Sequence, residues 1–278
     1  MIAIRRMSLL SLGALALVSV LPAAPALAAG VATAPHRVAY VFRMDTARLD
    51  SGIVDIKGGM TYEIADACDG WTVNQKIFMQ LFSRQNRSFR TVTTYTSWES
   101  KDGQRFRFST NTARNGRVTE RFRGSARLKA DGSGGEVTFT EPKSKTMKLA
   151  AGTIFPTRHS ELVMAAAVKG ERFIWRTLFD GTTDKGPYGV SAVMSKPKTP
   201  VGEGDAKIGK LLGNLGGDKY WSIKLAFFPE NTKTPQPDYE LAVGMHANSV
   251  IRWLKMDYGQ FVIDARLAKI EPLSKAKC

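Results

Sequence analysis

Apolar and polar positions alternate with a period of two over most of this chain. From Trp71 the odd positions Trp71, Val73, Ile77, Met79 and Leu81 are apolar, with Thr72, Asn74, Lys76 and Gln80 between them. That is the pattern of a strand with one face in a core and the other in water, and it predicts one long strand over 71–82. The rhythm recurs at Val38, Tyr40, Phe42 and Met44, at Phe106 and Phe108, at Val137 and Phe139, and at Trp221, Ile223, Leu225 and Phe227. It returns at Leu241, Val243 and Met245, and again at Phe261, Ile263 and Leu267.

Turn signals punctuate these runs: Lys57-Gly58-Gly59, Asp69-Gly70, Asp102-Gly103, Asn115-Gly116, the run from Asp131 to Gly135, and Ala247-Asn248-Ser249. Asp-Gly and Asn-Gly supply the positive backbone angles of tight hairpins, so the prediction is a mostly β fold with about a dozen antiparallel strands in a meander. A flat sheet of that width would leave its edges exposed, so it either curls into a barrel or folds over as a sandwich.

One segment departs from the period. Residues 157–169 are rich in helix formers, carry Ser or Thr for a cap, and stop at Gly170, which predicts the main helix. A second short helix is predicted over 206–213, and loops over 196–205 and 229–238, where Pro229, Pro235 and Pro237 gather. With no internal repeat and no long linker, residues 29–278 read as one domain.

The N-terminus reads as an export leader over residues 1–28. Arg5 and Arg6 precede an apolar run from Leu9 to Val20, and Ala26-Leu27-Ala28 offers small residues for cleavage after Ala28. The run is shorter than the roughly 20 residues a membrane-spanning helix needs. The arginine pair also hints at twin-arginine export, and the route stays open between that and the general one. The expected product is a periplasmic protein without an integral membrane segment. In an oxidising compartment the two cysteines, Cys68 and Cys278, are expected to pair as a structural disulfide, since no Cys-x-x-Cys motif marks a redox site.

Charge adds a surface question. The chain carries 40 Lys and Arg against 25 Asp and Glu, a net +15, from which Arg5 and Arg6 would leave with the leader. Export removes nucleic acid as a partner and leaves anionic lipid, lipopolysaccharide or glycan. Arg105 and Arg107 interleave with Phe106 and Phe108, and Arg121 and Arg123 flank Phe122. If the two segments pair through Asn115-Gly116, the four arginines share one face, which Arg84, Arg87, Arg90, Arg114, Arg117 and Arg127 could extend. That face is either an ordinary solvated surface or an anionic docking site.

Catalytic constellations are absent from the sequence. Gly204 to Lys210 has P-loop spacing, but Leu211 stands where a Ser or Thr should bind magnesium. His36, His159 and His246 are dispersed, with no metal-ligand spacing, and no cofactor motif occurs. His159 is expected to order the turn into the main helix. Phe227, Phe228, Met245, Trp253 and Met256 are expected in the core, although a curled sheet could enclose an apolar cavity. A non-enzymatic binding protein is the expectation, beside a carrier of lipid or hydrophobic peptide and a secreted hydrolase with a dispersed site.

These features together resemble the EipB family of periplasmic cell-envelope integrity proteins. The resemblance rests on the leader, on Cys68 with the terminal Cys278, on Pro156-Thr157-x-His159 before the helix, and on Leu254-Lys255-Met256-Asp257-Tyr258-Gly259-Gln260-Phe261 with Leu267. It implies a monomeric, open spiral β-barrel of about fourteen strands with helical additions and one disulfide. It further implies a role in envelope integrity under stress, an unknown periplasmic partner, and no catalytic residues.

Overall fold

The computed structural model describes residues 31–230 and 235–278, so the expected leader and the centre of the expected 229–238 loop lie outside the described residues. Eight strands come first: β1 (His36–Ala47), β2 (Ile53–Asp66), β3 (Gly70–Ser83), β4 (Ser88–Ser100), β5 (Arg105–Arg114), β6 (Arg117–Leu128), β7 (Gly135–Glu141) and β8 (Lys145–Leu149). Next are β9 (Thr153–Ile154), helix α1 (Pro156–Lys169), β10 (Phe173–Leu178), β11 (Tyr188–Met194) and helix α2 (Gly202–Leu212). The chain finishes with β12 (Trp221–Pro229), β13 (Tyr239–Met245), β14 (Ile251–Asp257) and β15 (Phe261–Pro272).

All fifteen strands join one sheet in the order β8-β7-β6-β5-β4-β3-β2-β1-β15-β14-β13-β12-β11-β10-β9. Neighbours are antiparallel except β9 and β10, which are parallel around α1. The middle of the sheet is therefore made by the two ends of the chain: β1 runs beside β15 from His36↔Pro272 to Ala47↔Phe261. From that pair two wings extend, and their outermost strands, β8 and β9, are separated by only residues 150–152. The sheet is thus curled into a nearly closed barrel. No helix among the described residues is long and apolar enough to cross a membrane.

The Asn115-Gly116 turn forms as expected, with both residues at positive φ (49° and 81°) between β5 and β6. Lys57-Gly58-Gly59 does not turn. It lies inside β2, paired with β1 on one side and β3 on the other. The glycines there serve close approach: a side-chain carbon on Gly58 would collide with the Phe78 carbonyl, and one on Gly59 would lie 2.7 Å from the Tyr40 carbonyl. The second helix starts at Gly202, four residues before the predicted start and inside the predicted 196–205 loop.

The interior is occupied. Val163, Met164, Ala166 and Ala167 of α1 share one core with Tyr40 and Phe42 of β1, Met60 of β2, Ile223 of β12, Leu254 of β14 and Ile263 of β15. Burying a side chain of the size of Val or Met stabilises by about 1.5–3 kcal/mol, so this face holds the helix in place. A second, aromatic core gathers Phe106, Phe108, Phe139, Phe155 and Phe179. Phe106 stacks on Phe155 at 4.8 Å, and Phe108 meets Phe179 edge-on at 5.5 Å.

The loop after β10 also ties one wing to the other. Tyr95 Oη donates to the Asp180 carbonyl and Thr110 Oγ1 to the Gly181 carbonyl, each at 3.1 Å. Gly181, at φ 71°, sits against the Phe108 ring where a side chain would not fit. Phe228 and Trp253 depart from the expected core. They occupy outward positions of their strands, half-buried, Phe228 beside Trp175 (5.5 Å) and Trp253 against Gly244. Strand alternation accounts for both, because Phe227 and Leu254 take the adjacent inward positions.

Cys68 and Cys278 form a disulfide with a Cα–Cα distance of 5.8 Å. Cys68 lies in the turn between β2 and β3, and Cys278 ends the tail after β15. Because β15 already pairs with β1, the bridge spans the width of β1 to fasten the tail to the next hairpin.

Candidate functional site

The β5–β6 hairpin sorts its residues as the alternation requires. Phe106 and Phe108 are buried, Phe122 is half-buried, and Arg105, Arg107, Arg121 and Arg123 are exposed on the outer face. The register places Arg105 opposite Arg127, Arg107 opposite Ser125, Ser109 opposite Arg123 and Asn111 opposite Arg121. Arg127 therefore joins the four arginines on the same face. Like charges directly opposite one another in an antiparallel pair are destabilising, so the Arg105–Arg127 pairing is a local cost of this arrangement.

Trp98, on the outer face of β4 opposite Arg107, supports the cations. The Arg107 guanidinium lies 4.4 Å and that of Arg105 5.2 Å from its ring centroid. Cation–π contact of this kind steadies a guanidinium without neutralising it. Arg121 pairs with Glu141 at 3.5 Å, whereas Arg105, Arg107, Arg123 and Arg127 form no ion pair with a carboxylate among the described residues. Trp98, Arg105, Arg107, Ser125, Arg127, Glu136 and Thr138 line a shallow groove of about 380 Å³. Sequence reading missed Trp98. Its signal was an even position on a strand whose odd positions, Tyr95 and Glu99, point inward.

The other arginines do not extend this stripe. Arg84 and Arg87 lie at the exposed turn between β3 and β4, and Arg90 lies over Phe78 at 4.9 Å. Arg114 and Arg117 face each other at the end of the β5–β6 hairpin, with Arg114 over Phe89 at 4.1 Å.

Several titratable groups of the interior have structural partners. Glu99 of β4 reaches the start of α1, where its carboxylate accepts the backbone N–H groups of Thr157 (2.7 Å) and Arg158 (2.8 Å). No Ser or Thr side chain caps that helix; Phe155 is at the N-cap, and Ser160 instead donates back to the Pro156 carbonyl within the first turn. Burial pushes the Glu99 carboxyl up to about 7, against the opposing effect of its two backbone hydrogen bonds.

His159 lies within the first turn of α1, buried, and burial together with the nearby Arg176 lowers it to about 4. Its Nε2 has no hydrogen-bond partner. His246 bonds the Lys219 carbonyl through Nδ1 at 2.8 Å and faces Arg252 Nη1 through Nε2 at 3.4 Å. His36 bonds the Ala34 carbonyl. None of the three histidines hydrogen-bonds a carboxylate, and no group of side chains among the described residues is placed to hold a metal ion.

The P-loop-like run forms α2, and Asp205 within it pairs with Arg252 at 2.5 Å. Arg252 is 1 % exposed, with its guanidinium 4.7 Å from the Tyr220 ring centroid. This pair, buried on the Arg252 side and half-buried at Asp205, fastens α2 to the sheet, and Lys207 and Lys210 remain exposed on the other side of the helix.

A family profile described as EipB-like matches residues 27–274. The chain is 31 % identical over 246 residues to the protein named "Cell envelope integrity protein EipB" of Brucella abortus (strain 2308), covering 88 % of this chain and 86 % of that one. It is also similar to the crystal structure of a beta-barrel-like protein of a domain of unknown function from Brucella abortus. The match has a TM-score of 0.81 at 30 % identity and covers 87 % of this chain and 99 % of that one.

Proposed function

Because the chain belongs to the EipB-like family, whose Brucella abortus relative is named a cell envelope integrity protein, we propose that it supports the integrity of the envelope from the periplasm. It does so as a monomeric, non-enzymatic barrel that binds an envelope component. The observation that carries this reading is the contrast between interior and exterior. Inside, Glu99 caps α1, and His36, His246, Tyr40 and Tyr95 bond backbone carbonyls. Outside, four arginines on one face are left without carboxylate partners.

A lipid or hydrophobic-peptide carrier would need α1 to leave the inner face, because Val163 and Met164 occupy the centre of the core. A hydrolase would need a histidine beside a carboxylate, and neither His159 nor His246 hydrogen-bonds one. A strain lacking the gene should become permeable to an impermeant dye and sensitive to detergent. The wild-type gene should restore the barrier, and so should a His159→Gln variant, since the imidazole performs no chemistry. Turnover in a broad hydrolase screen that disappears on substitution of His159 or His246 would overturn the proposal.

A further inference from the structure

We infer that the outer face of β5 and β6 docks on an anionic lipid surface, with phosphate headgroups held by Arg105, Arg107, Arg123 and Arg127. This inference rests on the binding reading above and gives the partner a chemistry. Three observations carry it. The arginines are exposed, share one face by register, and have no ion pair among the described residues, so their charge is available to a partner. Trp98 holds the Arg105 and Arg107 guanidiniums over its ring, which fixes their direction before any anion arrives. Arg105 and Arg127 stand directly opposite each other, and Glu136 of β7 faces Arg127 without forming an ion pair, so the row keeps a net positive charge that an anion bridging the two arginines would balance.

The extent of the stripe separates a surface from a single small anion. Arg123 and Arg127 are four residues apart on one strand, so the docking row runs for about 13 Å at the ordinary strand rise. One free phosphate would engage a fraction of that length, whereas a leaflet presents phosphates along all of it. The guanidinium fork suits phosphate oxygens through paired N–H donors. Glu136 and Glu141 also border the stripe, and Glu141 already neutralises Arg121, which is why that residue is left out of the docking set.

The test is co-sedimentation of the full protein with phosphatidylcholine vesicles, with or without phosphatidylglycerol. Wild-type protein should pellet with the anionic vesicles only, and less as salt rises. The triple variant Arg105→Gln, Arg107→Gln, Arg127→Gln should lose affinity on the order of 100-fold, since each cation near an anionic surface contributes about a factor of 5. A control with the same loss of charge elsewhere, Lys207→Gln, Lys210→Gln, Lys224→Gln, should bind as the wild type does. Matching thermal midpoints would show that both variants fold. Equal losses in the two variants would reduce the effect to net charge and overturn the inference, as would no binding by the wild type. Displacement from vesicles by millimolar-range inorganic phosphate would instead indicate a soluble-phosphate site and also overturn it. If vesicle binding fails while gene deletion still weakens the barrier, the envelope role stands and only the lipid docking is lost.

Discussion

Glu99 joins two parts of the chain that neither hairpin pairing nor helix propensity would bring together. Its carboxylate does for α1 what a local Ser or Asp does for most helices, satisfying two of the free N–H groups of the first turn. Burial raises its pKa to about 7, so the folded protein takes up a proton at pH values where the unfolded chain does not. By linkage, the contribution of Glu99 is fully present below the unfolded value of 4.5 and is lost as pH rises through about 7. His159 works in the opposite direction. Its lowered pKa gives a contribution present above 6.5 that is lost as pH falls through about 4. Glu99→Gln, neutral at every pH, should lack the wild type's fall in stability between pH 4.5 and 7, so its stability relative to the wild type should rise across that range by up to about 3 kcal/mol. Glu99→Ala should instead cost about 1–3 kcal/mol across the range, because two buried N–H groups lose their acceptor. Urea denaturation over pH 4–8 measures both, and a Glu99→Gln curve parallel to the wild type would remove the linkage argument. The residue looked like an ordinary strand position in the sequence, since its role depends on a segment 58 residues further along.

Strands were legible wherever one face is buried and the other wet, and they were misread where the backbone itself is the contact. The alternation at Trp71–Leu81 and Phe106–Phe108 identifies the inward faces because the side chains report the environment. Gly58 and Gly59 have no side chains to report it, so a segment in the middle of β2 carries the composition of a turn. The neighbouring strand carbonyls that demand glycine there come from β1 and β3. Replacement of Gly58 by Ala should therefore disturb the β2–β3 ladder and lower stability by at least about 1–3 kcal/mol, like other overpacking changes. Thermal denaturation is the measurement, and an unchanged midpoint would show that the strands can part there at little cost. For the candidate site, the four arginines and their common face were readable from period and turn. Trp98 and the separation of Arg114 and Arg117 from the stripe were not, because both depend on register across strands.

At the scale of the molecule, the disulfide closes 210 residues of chain, and its effect falls chiefly on the unfolded ensemble. Cys278→Ser should leave the fold intact while reducing stability by about 2–4 kcal/mol under oxidising conditions, with the difference vanishing in reductant. Equal melting temperatures without reductant would show that the covalent closure contributes little. The strand order has a consequence for how the molecule comes into being. Within each wing, successive strands are neighbours, so most of the sheet can assemble hairpin by hairpin as the chain is delivered from its N-terminus. The pairing of β1 with β15 must wait for nearly the last residue to arrive. Until then one long edge of β1, all 12 residues of it, stands without its final neighbour, open to any other extended chain nearby. The newborn protein is thus most vulnerable at the seam that becomes the centre of the finished barrel, and that vulnerability lasts as long as delivery does.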